Sequence, residues 1–222
     1  MVYILHLETA TKMCSVALSK NGECVAVKET QEDGYAHGEN LNLFIQQVLS
    51  EAKITTQDLS AVSLASGPGS YTGLRIGAST AKSLCYALDI PLIAIDALSS
   101  LVELVGGKEQ HMNRCAVIDA RRMEVYNLFT DADGKHLKEI SADIIETDTY
   151  KAYEPFLYFG DGAAKLREVW KGRNCRFEDI RSSARGQIKL AYQKYLDQEV
   201  EDVAYFEPFY LKDFIAGKKK DG

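Results

Sequence analysis

The stretch Ser66-Gly67-Pro68-Gly69-Ser70-Tyr71-Thr72-Gly73-Leu74-Arg75-Ile76-Gly77 constrains the fold more than any other part of this 222-residue chain. A short apolar run, Ala61 to Ala65, precedes it and reads as a buried strand. Gly67-Pro68-Gly69 is a turn, since proline fixes φ and glycine tolerates angles that other residues avoid. Ser70 or Thr72 then caps a helix, because a hydroxyl oxygen accepts from the unpaired amides of a first turn. Leu74, Ala78, Ala81, Cys85 and Leu88 recur at helical spacing and predict a side packed on a sheet. Gly73, Gly77 and Ala81 make a strip almost without side chains. A mid-helix glycine costs about 1 kcal/mol against alanine. Two in line therefore predict a close approach, either by the domain's own core or by another helix. A strand, a glycine-rich turn and a helix start can also cradle a phosphate. Here there is no Gly-Lys-Ser/Thr, and Gly67-x-Gly69-x-x-Thr72 is not a full dinucleotide fingerprint, so a plain strand-to-helix turn is the simpler reading.

Around this unit the chain alternates. Val2 to Leu7, Cys14 to Ser19 and Cys24 to Glu29 are strand candidates, the second and third joined by a tight turn at Asn21-Gly22. A helix from Glu39 to Lys53 carries Leu41, Phe44, Ile45, Val48, Leu49 and Ala52 on one stripe, with Leu43 off it and exposed. After the 72–88 helix come a strand, Pro91 to Ile95, and a short helix, Ser99 to Val105. The second half repeats the scheme. Strands are expected at Cys115–Asp119, Glu124–Thr130, within Lys135–Glu146, at Leu157–Phe159 and at Cys175–Phe177; helices at Thr149–Glu154, Ala163–Trp170 and Ala184–Leu196. The order β-β-β-α-β-α-β-α, given twice, predicts an α/β protein of two tandem lobes. The N-terminal lobe is expected over 1–106 and a smaller C-terminal lobe over 107–222, divided at Gly106-Gly107.

Net charge is −6, which argues against strong nucleic-acid binding by this chain alone. Lys218-Lys219-Lys220 reads as a solvated tail. No apolar run approaches the ~20 residues of a membrane span. Met1 to Leu7 has no basic lead-in or cleavage site, so no signal peptide is expected. Cys14, Cys24, Cys85, Cys115 and Cys175 make no C-x-x-C and predict buried thiols in a reducing cytoplasm.

The two-lobe order resembles the actin, sugar-kinase and heat-shock ATPase superfamily, with its ribonuclease H-like topology. Glu8-Thr9-Ala10-Thr11, Cys14-Ser15-Val16-Ala17-Leu18, the 66–77 stretch, Ile118-Asp119-Ala120-Arg121 with Glu124-Val125-Tyr126, and Glu207-Pro208-Phe209-Tyr210-Leu211 narrow this to a resemblance to the TsaB (YeaZ) family along the whole chain. The resemblance implies a part in making threonylcarbamoyladenosine beside the anticodon of tRNAs reading codons that begin with A. It implies a TsaD-type transferase as partner, a TsaE-type ATPase joining them, a homodimer when the chain is alone, and tRNA met only through the complex. The family's label as a glycoprotease relative supplies one rival, a peptidase; the superfamily supplies another, an ATP-dependent phosphotransferase.

The residues speak against chemistry in this chain itself. His6, His37, His111 and His136 are far apart and make no helical metal pair, so no metal site is expected. His37 is read as a cap or anchor of the helix that follows it. Superfamily members hold phosphates with glycine-bearing hairpins, yet both counterparts here, Glu8-Thr9-Ala10-Thr11 and Asp119-Ala120-Arg121-Arg122, lack glycine. Most TsaB-like chains carry Asp where this one has Glu8. A degenerate nucleotide cleft is therefore expected at Glu8, Thr9, Asp119, Gly160 and Gly162, with no resident cofactor and at most weak ATP or ADP binding in the assembled complex. Arg75 and Arg121 can bind an anion or pair with Asp119 and Glu124. Phe206, Phe209, Tyr210 and Phe214 are expected to dock onto the core. The partner surface is expected on the helices 39–53 and 72–88, at Leu43, Gln47, Tyr71, Gly73 and Gly77.

Overall fold

The computed structural model describes residues 1–31, 37–106 and 111–212, with the side chains of Gln31 and His37 outside that description. Strands β1 (Tyr3–Glu8), β2 (Met13–Lys20), β3 (Glu23–Gln31), β4 (Ala61–Ala65) and β5 (Leu92–Ile95) form one sheet in the order β3-β2-β1-β4-β5. Strands β6 (Asn113–Asp119), β7 (Glu124–Thr130), β8 (His136–Ile144), β9 (Phe156–Phe159) and β10 (Cys175–Phe177) form a second in the order β10-β9-β6-β7-β8. Read from the opposite edge, the second order is the first. In each sheet three strands pair antiparallel and two more add in parallel beside the first of them. The duplication expected from element order thus holds in the strand topology.

The helices are α1 (His37–Ala52), α2 (Tyr71–Leu88), α3 (Ala97–Glu103) and α4 (Ile188–Leu196). Leu41, Ile45, Val48 and Leu49 of α1 and Ala78, Ala81 and Cys85 of α2 join Leu5, Leu7, Val16 and Leu18 in one buried cluster, so both helices cover the same face of the first sheet. Each such leucine, fully buried, contributes about 2 kcal/mol. The stripes read from the sequence are those that pack. Ser70 caps α2, its hydroxyl accepting from the Gly73 amide at 3.2 Å.

The closing helices cross over. α3 follows the last strand of the first sheet yet packs on β6 and β7 of the second, where Leu98, Leu101 and Val102 meet Ala116, Ile118 and Leu128. Residues 184–196 follow the second sheet yet pack on the first, where Ala191 meets Ile4, Ala61, Ile93 and Ile95. The helix expected over 184–196 begins as a 3-10 turn, Ala184–Gln187, before α4. A methyl on Gly186 would sit 2.0 Å from the Ser100 carbonyl oxygen, so a glycine lets this turn lie directly on α3. The helices expected at 149–154 and 163–170 are short 3-10 turns, Lys151–Tyr153 and Ala164–Leu166, whose bonds reach three residues back. Trp170 and Leu166 nonetheless reach the core beneath the second sheet.

His6 lies between the sheet and the returning segment with no exposed surface. Gln187 Nε2 donates to the Leu7 carbonyl at 2.8 Å, so its Oε1 accepts from Ser63 at 2.7 Å. Ser63 Oγ must then accept from His6 Nδ1, at 2.7 Å, and His6 Nε2 accepts from Ser19, at 2.7 Å. The tautomer follows from the direction of this chain of bonds. Burial lowers the His6 pKa to about 3, against about 6.5 in an unfolded chain, so stability that is full above the unfolded value is lost as acid approaches the folded one. The His6 ring resonances are expected to hold constant from about pH 8 to about pH 5 in NMR, with Nδ1 protonated throughout; titration within that range would mean that the network opens.

Cys14, Cys85 and Cys115 are buried as expected, whereas Cys24 is exposed on β3. No helix among the described residues is long and apolar enough to cross a membrane.

Candidate functional site

Glu8 ends β1, Asp119 ends β6, and Gly160-Asp161-Gly162 follows β9. The fold brings these strand ends together where the lobes meet. Glu8 has no exposed surface. Its Oε1 accepts from the Ala10 amide at 2.8 Å, and its Oε2 has no partner. Burial pushes the Glu8 pKa up to about 7; the Ala10 bond and the Gln187 amide oppose this, while the charge of Asp161 adds to it. Burial likewise raises Asp161 to about 6, with the nearby Asp119 carboxylate adding and Lys165 opposing. The Asp119 amide donates to Asp161 at 3.2 Å.

The other carboxylates are held by lysines of the same chain. Lys165 forms an ion pair with Asp119 and donates to the Glu124 carbonyl at 2.7 Å. Lys212 forms an ion pair with Glu124. The glycines serve packing. A methyl at Gly160 would lie 2.1 Å from the Val117 carbonyl oxygen, and one at Gly162 would lie 3.0 Å from the Asp119 amide nitrogen. These residues do not fit a magnesium–phosphate group. Asp119 and Glu124 already hold cations, Glu8 is sealed, and the room beside the glycines is filled by the β6 backbone. Among the described residues, no group of three or more His, Cys, Asp or Glu could hold a metal ion.

Thr9 turns away from this junction. Its Oγ1 donates to the Gly73 carbonyl at 2.8 Å, and a methyl on Gly77 would meet that same oxygen at 2.4 Å. Both glycines are buried. At these two glycines the bare strip of α2 is filled by Thr9 from the same lobe. What α1 and α2 do present outward includes Leu43, 48% exposed, and Gln47. Beside Tyr71 runs a groove of about 640 Å³ lined by Tyr71, Thr72, Arg75, Ile76, Ser79 and Thr80. The Arg75 guanidinium lies 4.0 Å from the Tyr71 ring centre, and Tyr71 meets Tyr210 at 5.0 Å. Arg75 is thus beside an aromatic ring and not on Asp119 or Glu124.

The C-terminal segment lies along α2 and, with Arg75, Ala78, Ser79 and Lys82, lines a second, neighbouring hollow. Lys82 Nζ donates to the Ala204 and Phe206 carbonyls at 3.2 and 3.0 Å, and the Phe209 amide donates to Ser66 at 2.7 Å. Phe206 packs on the first core as expected, while Phe209 and Tyr210 remain partly open. Phe214, the His37 side chain and Lys218 to Lys220 lie outside the described residues. Sequence reasoning missed Lys165, Lys212 and Lys82. A lysine carries no local sign of the carboxylate or carbonyl it will reach.

One further feature stands at the hairpin joining β6 and β7. Arg121 and Arg122 have φ values of 71° and 51°, both in the left-handed region. That region costs a residue with a Cβ about 1 kcal/mol or more. The Arg121 amide donates to Asp119 Oδ1 at 2.9 Å, and both side chains are exposed.

Comparison with known proteins bears on all of this. The profile of the family described as "TsaD: tRNA N6-adenosine threonylcarbamoyltransferase" matches residues 31–219. A Haemophilus influenzae protein named tRNA threonylcarbamoyladenosine biosynthesis protein TsaB is 27% identical over 99% of this chain and 97% of its own length. The Escherichia coli protein of the same name is 28% identical over 99% of this chain and 98% of its own. The solved structure of YeaZ from Pseudomonas aeruginosa superposes with a TM-score of 0.80 at 22% identity, covering 95% of this chain and 100% of that one.

Proposed function

We infer the function from one premise: the chain belongs to the TsaD family, and within it to the TsaB (YeaZ) members. Its role is in tRNA threonylcarbamoyladenosine biosynthesis. Within that role we propose a non-catalytic subunit that dimerises with a TsaD-type transferase through the outer face of α1 and α2. A TsaE-type ATPase joins the pair, and the chain pairs with itself when alone. It works in the cytoplasm and meets tRNA within the complex.

The observation that carries this reading is the contrast between the two candidate sites. At the lobe junction the carboxylates are sealed or already hold lysines. On the helices, α2 carries an open groove with an aromatic ring and an arginine, and α1 exposes Leu43 and Gln47. Exposed arginine and aromatic side chains are the groups that anchor protein interfaces. Tyr71 keeps its expected part in the surface; Gly73 and Gly77 support it from beneath by letting Thr9 pin α2. Glu8, Thr9, Asp119, Gly160 and Gly162 are read as the remnant of a nucleotide cleft, held shut by the chain's own contacts.

The test is a double substitution, Leu43→Asp with Gln47→Arg. Exposed positions cost the fold within about 0.5 kcal/mol, so the thermal midpoint should hold. Co-elution with a TsaD-type partner in size exclusion should be lost, and the rate of reconstituted tRNA modification should fall by about tenfold or more, as for an interface hot spot worth ~2 kcal/mol. A variant that still co-elutes and supports full modification would place the interface elsewhere.

A further inference from the structure

The β6–β7 hairpin tip places two exposed arginines, Arg121 and Arg122, in left-handed backbone. The chain also contains the unstrained solution. The β2–β3 turn is Asn21-Gly22, with φ values of 50° and 82°, the residue types that tolerate this region. At the second hairpin arginine stands at both left-handed positions. Packing does not explain the choice, because both side chains are in solvent.

The charges around the tip sharpen the point. Asp119 and Glu124 flank it, and each is already neutralised, by Lys165 and by Lys212. Neither arginine has a side-chain ion pair or hydrogen bond among the described residues. Two guanidinium groups therefore project unquenched from a protein of net charge −6. A guanidinium presents a rigid fork of donors that matches two oxygens of one phosphate. Of the residues that flank the two arginines, Ala120 is buried and Met123 is 38% exposed. The tip has no ring of buried apolar contacts such as a protein hot spot requires.

We propose that the Arg121–Arg122 hairpin tip is a phosphate-contacting element that grips the RNA backbone of the tRNA in the assembled complex. The proposal rests on the tRNA-modification reading above and adds to it a direct contact from the second lobe. The contact is with backbone phosphates and carries no base specificity.

The test compares the parent protein with Arg121→Asn/Arg122→Gly. These residues suit left-handed backbone, so the thermal midpoint should be no lower than the parent's. Three quantities are measured: co-elution with a TsaD-type partner, retention of unmodified tRNA by the mixture and by the chain alone, and the salt dependence of that retention. Co-elution should be unchanged. Retention by the mixture should fall about tenfold near 0.1 M salt, and the slope of log affinity against log salt should flatten by up to about two. Arg121→Lys/Arg122→Lys should keep most of the slope, since it keeps the charge. Unchanged retention and slope would overturn the proposal. So would loss of co-elution with tRNA retention intact, which would assign the tip to a protein partner. Failure of the parent itself to co-elute would count against the partner reading alone, and retention by the single chain would then decide the phosphate contact by the same comparison. A free nucleoside triphosphate added as competitor should displace tRNA only at concentrations where salt of equal ionic strength does; displacement well below that would also overturn the proposal.

Discussion

Glu8→Gln is expected to abolish a loss of stability, about 3 kcal/mol in size, that the native chain should suffer as pH rises from about 4.5 to about 7. Glu8 is fully buried at the end of β1, and one of its oxygens has no partner. Burial holds its pKa at about 7, against about 4.5 for a glutamate in water. Below the unfolded value both states carry the proton and the group contributes nothing to the slope. Above it the unfolded chain releases its proton while the native chain must keep it, so stability falls until the native carboxyl also ionises. The Ala10 amide and Gln187 restrain the shift, and Asp161 enlarges it. His6 shifts in the opposite sense but is common to both proteins and cancels in the comparison. Urea denaturation of the two proteins across this pH range measures the difference directly. Parallel pH profiles would show that Glu8 ionises freely and that the lobe junction admits water.

Gly160→Ala should be the most damaging single substitution considered, with a loss of about 4 kcal/mol and a fall in thermal midpoint of about 10 °C. Two costs coincide. Gly160 has φ of +110°, where a side chain is strained. The added methyl would also lie 2.1 Å from the Val117 carbonyl oxygen and 2.7 Å from Leu101 Cδ2. Leu101 can turn aside, but Val117 cannot. It sits in β6 between β7 and β9, paired with Asn127 on one side. Gly134→Ala is the control. Its φ is +89° with nothing within 4 Å, so only the backbone strain of about 1 kcal/mol remains. Similar losses for the two variants would mean that the 160–162 turn moves away from β6 at little cost.

The candidate sites were legible in the sequence to unequal degrees. Leu43 falls off the apolar stripe of α1, and that alone marked it as exposed. Glu8 and Asp119 end strands and Gly160 follows one, which the sequence showed; that they belong to one cleft was implied only by the superfamily resemblance. That Glu8 would be sealed was not readable, because burial depends on what lies above it. Gln187, which flanks Glu8 and bonds to Leu7, is 180 residues from Leu7 in the chain. The two glycines of α2 correctly signalled a close approach, but their own spacing is the same whether the neighbour is Thr9 or another protein.

Local chemistry therefore determined the strands, the amphipathic helices, the Asn21-Gly22 turn and the twofold order of elements, since hydrophobic period and turn geometry act over a few residues. Only the tertiary structure decided which surfaces met. The bond from Thr9 to Gly73 spans 64 residues, that from Lys165 to Asp119 spans 46, and that from Lys212 to Glu124 spans 88. It also decided that α3 and the 184–196 segment exchange sheets. A periodic pattern reports that a face must be covered; the identity of the cover is a property of the packed chain, where contacts distant in sequence compete for the same apolar face or the same charge.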